Sequence, residues 1–187
     1  AFDMQLGQFG ILPRTWKGLV GILAAPLIHG DMYHLVSNTI PLLVLGITLY
    51  YFYNRIAVEV FIWIYLVTGL WVWLFARDAY HIGASGLVYG MASFLFFSGI
   101  IRRNVRLLTV TLIVLFLYGS MIYGLFPNPM EPRVSWESHA LGAFCGLLLA
   151  IYFRKTKVMD DHPEEEEQSV SGSMSGQNEI RGDEQAY

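Results

Sequence analysis

From residue 31 to residue 153 apolar residues run almost without a break, neither alternating with a period of two nor confined to one helical stripe. A helix needs about 20 consecutive apolar residues to cross the hydrocarbon core of a bilayer. Charged residues, prolines and glycines divide the stretch into five runs of about that length, at 31–53, 56–76, 84–101, 107–126 and 134–153. The pattern predicts an all-α polytopic membrane protein, a helical bundle with about five transmembrane helices occupying 31–155. Ahead of it, 1–30 is read as an interfacial loop region. Its apolar part is interrupted by Gly10, Pro13, Gly18, Gly21 and Pro26, which suits a re-entrant or interfacial segment with room for a short helix. Behind it, 156–187 is acidic, rich in Ser and Gly and without a periodic apolar face, so a disordered tail is expected there.

Composition sharpens this. The chain is 55% hydrophobic and 14% charged, against roughly a quarter charged in an ordinary soluble domain. The net charge of −3 hides a division near residue 157. Up to Lys157 the chain carries 11 Lys and Arg against 6 Asp and Glu; beyond it, Arg181 stands against 9 carboxylates. Neither part is a nucleic-acid footprint. Cys145 is the single cysteine, so no intrachain disulfide forms. No cleavable leader is visible at the start, and the spans themselves are expected to target the chain. Arg55, Arg102, Arg103, Arg106, Arg154, Lys155 and Lys157 follow the first, third and fifth runs. Positive residues collect on the cytoplasmic side, so the C-terminus is expected in the cytoplasm, in a multi-pass protein of the plasma (inner) membrane.

With strict alternation, the first, third and fifth spans all begin on the outer side, and the polar residues of note lie just inside those beginnings. His34 and Asn38 follow Asp31, Ser85 opens the third span, and His139 lies shortly after Pro132. At about 1.5 Å per residue they share roughly the outer third of the membrane. His34 and Asn38 are four residues apart, on one helix face, where both can donate to one oxyanion. Ser85 stands in Gly83-Ala84-Ser85-Gly86, at a helix start whose unpaired N–H groups favour developing negative charge. Gly86 and Gly90 in the third span, and Gly142 and Gly146 in the fifth, are small-xxx-small pairs that let helices approach closely in lipid. Such packing would bring Ser85 and His139 to one end of a tight crossing, with Tyr89 one turn from Ser85 against the imidazole.

Blander explanations exist for each residue. A glycine-flanked serine in a membrane helix is usually a small packing residue, and buried polar groups often only join helices. Ionisable residues inside a span are more often functional, and it is the coincidence of four polar residues on three helices that points to chemistry. His29 reads as a tie between loop and helix start, His81 as a loop residue and His162 as solvated. Haem or metal ligation by His29, His34, His81 and His139 finds no supporting cysteine pair or intramembrane carboxylate near them.

Taken together, HGDMYHLVSN (His29, His34, Asn38), GASGLVYG (Ser85, Tyr89) and SWESHALGAFCG (His139) resemble the rhomboid intramembrane serine proteases, from about residue 9 to residue 153. The resemblance implies a Ser85–His139 dyad without an acidic third member and without a cofactor. It implies an oxyanion and substrate-binding site of His34, Asn38 and the backbone at Ala84–Ser85. It also implies supporting roles for His29, Gly83, Gly86, Gly142 and Tyr89, the last stacking on the catalytic histidine. Substrates would be single-span membrane proteins cut near the outer face through an acyl-enzyme; the oligomeric state is left open. A catalytically silent, client-holding relative is the alternative. The family core has six helices, and its first is expected to be missing from this chain.

Overall fold

Thr15 opens the first helix by accepting a hydrogen bond from the Gly18 amide at 3.1 Å, after which the apolar stretch Trp16–Ala24 coils until Pro26 ends it. The computed structural model describes residues 4–117, 124–128 and 134–156, all within the unit Ala1–Thr156. The acidic tail expected after residue 156 therefore lies outside the described residues. Among those described there are six α-helices: α1 (Trp16–Ala24), α2 (Met32–Tyr53), α3 (Ala57–Phe75), α4 (Ser85–Arg102), α5 (Val105–Leu117) and α6 (Trp136–Tyr152). Short 3-10 turns at Met4–Phe9 and Ala25–Leu27 flank α1.

The five expected spans each contain a helix. Three of them, α2, α3 and α4, are long and apolar enough to cross a bilayer. The fourth needs correction. Expected at 107–126, it begins two residues earlier, is helical as far as the described residues reach at Leu117, and is a turn again at residues 124–126. Its early start follows from Asn104, whose side-chain oxygen accepts the Leu107 amide at 3.0 Å and so caps the helix. The interfacial segment holds the short helix for which the sequence left room. It is pinned to the end of α3 by Trp73 Nε1 on the Thr15 carbonyl at 2.8 Å, by Arg14 on the Ala76 carbonyl at 2.8 Å, and by the Arg14–Asp78 ion pair.

Burial assigns α4 the centre. Of its most apolar stretch 67% is buried in the protein, against 33% for α2 and 28% for α3. The outer helices instead turn large apolar residues outward, among them Leu43, Ile47, Val58, Phe75 and Phe116. In water such a surface would drive association; in a bilayer it is the lipid contact. The protein is therefore a multi-pass membrane protein.

The most extensive helix pair is α4 with α6. Glycines set it. A Cβ built on Gly142 would strike the carbonyl oxygen of Gly86, and one on Gly146 would strike that of Gly90 and lie 2.8 Å from the Phe94 nitrogen. Ser93 Oγ donates across the interface to the Ala143 carbonyl at 2.6 Å. In lipid, where no hydrophobic force holds helices together, such close backbone packing and interhelical hydrogen bonds supply the attraction. At the other end of the pair, Arg102 donates to the Phe153 carbonyl at 2.8 Å and lies over the Tyr53 ring.

Gly146→Val should cost about 1–3 kcal/mol, because the obstacle is backbone that cannot rotate away. Gly46→Ala, where a Cβ meets nothing within 4 Å, should be neutral. Thermal unfolding of both variants in detergent checks this; equal midpoints would remove the glycine contact as the source of cohesion.

Candidate active site

The loop between α3 and α4 forms the floor of the site. Its His81 backbone pairs with Ile11 in an antiparallel bridge, both hydrogen bonds being 2.9 Å, and the Gly83 amide donates to the Ala25 carbonyl at 2.8 Å. Gly83 then turns the chain into α4 with a φ of +101°, in the region that favours glycine. A Cβ there would lie 2.8 Å from the His34 ring and 3.6 Å from Asn38 Nδ2, so α2 presses both residues against this turn. Ala84 precedes the helix without a side-chain cap, and its carbonyl accepts from Leu87 and Val88. That leaves the first N–H groups of α4, at Ser85 and Gly86, without a carbonyl inside the helix. Ser85 itself is half-buried.

Asp31 caps α2 by accepting the His34 amide at 2.7 Å. The Gly30 amide donates to His34 Nδ1 at 3.5 Å. A neutral imidazole accepting at Nδ1 carries its proton on Nε2, and both Cε1 and Nε2 lie on the side facing Gly83. Asn38 is buried, and its amide nitrogen gives one hydrogen to the His34 carbonyl at 3.0 Å. The second hydrogen remains for another acceptor. His29 sets its edge on His34, ring centroids 5.1 Å apart at 75°, with the Leu27 backbone beside its ring. Burial, then the neighbouring His34, pushes its pKa down. It packs as a neutral ring between loop and helix start.

His139 comes from the first turn of α6 and is buried. Its ring stacks on Tyr89, centroids 4.2 Å apart and planes 8° from parallel. Tyr89 stands four residues after Ser85 on the same face of α4. The Gly124 carbonyl lies 2.8 Å from His139 Nδ1. A carbonyl can only accept, so Nδ1 carries the proton and Nε2 is the free lone pair, the form a general base requires. Among the described residues Ser85 and His139 form no hydrogen bond with each other, although the close crossing of their helices makes one feasible. In this resting arrangement the imidazole is held by Gly124 and Tyr89 instead. Catalytic hydrogen bonds are often long before substrate arrives.

Two features were not foreseen from sequence. Gly124 is one: a Cβ there would strike the Tyr89 hydroxyl and come within 3.0 Å of His139 Nδ1, yet nothing but a Gly-Leu-Phe-Pro turn marks it. The second is a polar cluster beside the start of α6. His81, in the loop as expected, is only 2% exposed. Its Nε2 donates to the Arg77 carbonyl at 3.1 Å and its Nδ1 meets Ser135 Oγ at 2.6 Å. Ser135 caps α6 and lies 2.6 Å from Ser138 Oγ. Arg77 donates to the Val134 carbonyl at 2.9 Å and pairs with Glu137 at 3.5 Å. Burial pushes the His81 pKa down, with the Arg77 charge in the same direction and the Arg77 carbonyl and Glu137 opposing.

A rhomboid domain matches residues 16–156. An uncharacterized protein of Mycobacterium tuberculosis is 37% identical over 157 residues, covering 78% of this chain and 64% of its own length. One of Mycobacterium leprae is 36% identical over 169 residues, covering 84% and 66%. The chain thus spans just under two thirds of the length of these relatives. No solved structure matches it. Every site residue from His29 to His139 falls inside the matched domain, and with that match the chain belongs to the rhomboid family.

Proposed function

We propose that this chain is an intramembrane serine endopeptidase. The observation that supports the reading is that, in a rhomboid-family chain, the Gly83 turn leading into Ser85 packs on His34 and Asn38, the first turns of α4 and α6 touch through Gly86 and Ser138, and His139 Nδ1 is engaged by the Gly124 carbonyl. Ser85 Oγ attacks the substrate carbonyl carbon while His139 Nε2 takes the hydroxyl proton. The oxyanion accepts from the Ser85 amide, His34 Nε2–H and the spare Asn38 N–H. Collapse expels the amine, which receives the proton from His139, and leaves an ester on Ser85. Water then attacks that ester, with His139 again as base. Substrates are single-span membrane proteins whose helix unwinds near the outer face, in a plasma membrane where the C-terminus of this chain is cytoplasmic.

One observation favours the second reading, a catalytically silent relative that holds membrane clients. It is the lack of a Ser85–His139 hydrogen bond among the described residues.

Labelling the purified chain with a fluorophosphonate separates the two readings. Wild type should label, whereas Ser85→Ala and His139→Ala should not, and both should fail to cut a single-span reporter. Label persisting on Ser85→Ala would remove the nucleophile assignment. Asn38→Ala should cost about 2–4 kcal/mol of transition-state stabilisation, read as a fall in kcat/KM; an unchanged rate takes Asn38 out of the oxyanion site. Gly124→Ala should lower kcat by about a hundredfold by displacing the imidazole, and a variant at wild-type kcat would mean that the carbonyl contact does not orient the base.

A further inference from the structure

Resting on that reading, we infer that His81 is a positioning residue for the reaction: it clasps the first turn of α6, and so sets where His139 stands relative to Ser85. The loop that ends in Ser85 holds the start of α6 at several points. Arg77 grips the Val134 carbonyl and Glu137, and His81 grips the Ser135 hydroxyl. Because His81 Nε2 is committed to the Arg77 carbonyl, Nδ1 is an acceptor and Ser135 the donor. Ser135 in turn caps α6, receives the Ser138 amide at 3.4 Å, and offers its own carbonyl to the His139 amide, also at 3.4 Å. The chain of contacts from His81 to the backbone of His139 therefore passes through one residue.

The same loop continues through Gly83 to Ser85, four residues after His81. One strap, 77–85, thus carries the serine covalently and holds the turn bearing the histidine by hydrogen bonds. A cross-check comes from the helices themselves. The Ser138 carbonyl lies 3.3 Å from where a Gly86 Cβ would stand, so the two first turns are in contact and a shift of one displaces the other. His81 suits this duty better than Arg77. Glu137 has one buried carboxylate oxygen with no partner, so removing Arg77 would strand a charge and confound the outcome. His81 is nearly wholly buried, uses both ring nitrogens, and its backbone is anchored to Ile11.

The test uses the full chain in nanodiscs as wild type, His81→Ala, His81→Gln, Ser135→Ala and the His81→Ala/Ser135→Ala double variant. Hydrogen exchange of the amides at 135–139 reads the clasp directly, and kcat and KM on a single-span reporter read its consequence. Exchange of that turn should rise in both single alanine variants and rise no further in the double. The kcat should fall about ten- to a hundredfold with KM unchanged, and His81→Gln, which keeps a donor and an acceptor, should recover most of it. Unchanged exchange in His81→Ala, or losses that multiply in the double variant, would overturn the clasp. Raised exchange at wild-type kcat would overturn the positioning role. Should His81→Ala fail to fold, His81→Gln and Ser135→Ala carry the same comparison. The exchange measurement stands whether or not the chain turns over substrate, whereas a wild type without Ser85-dependent turnover overturns the protease reading alone.

Discussion

The structure depends on the contact between the backbones of α4 and α6. Two glycines of α6 lie against the carbonyls of two glycines of α4, and this is as near as two helices can come. Any side chain at those positions would separate the axes and open the end of the pair where the Tyr89 ring must reach the imidazole of His139 for the two to stack. Cohesion and site geometry are therefore one constraint. The remaining helices are arranged round this pair: α3 packs against both members, while α2 and α5 pack against α4.

At that end, hydrogen bonds to backbone take over from glycine contacts. Gly83 is fixed by Ala25, His81 by Ile11, His139 by Gly124, and Asn38 by the His34 carbonyl. Backbone groups are dependable partners here, because inside a membrane an unpaired carbonyl or amide costs several kcal/mol. The turn before Ser85 and the ring of His139 are thus held by backbone dipoles, while the Arg77–Glu137 ion pair ties the start of α6. Its polar side chains are neutral groups placed by geometry, which suits a region of low dielectric where a bare charge would be costly.

Much of this was legible in the sequence because its causes are local. The spans follow from run length, the start of α2 from its position after Asp31, the close helix pair from the glycine spacing, and the stacking of Tyr89 from its place one turn after Ser85. What was not legible shares one property. The partner of His139 is a carbonyl, which every residue possesses, and nothing in the letter sequence distinguishes the one at Gly124. His81 is marked only by its nearness to Gly83, and its link to Ser135 crosses 54 residues. The end of the fourth span was overestimated because apolar letters continue through Leu125 and Phe126, where the chain has already turned. Hydropathy registers what lipid will accept, whereas the turn answers to the groups packed beneath it.

The place of α6 as the last helix described has a consequence for how the site comes into being. During synthesis Ser85, its turn and the residues of α2 enter the membrane well before the chain containing His139 leaves the ribosome. Until α6 docks, the glycine face of α4 has no α6 to pack on and Ser85 stands without His139. The assembled site is thereby a property of the finished helix pair, and a chain that ends before α6 has only one half of it.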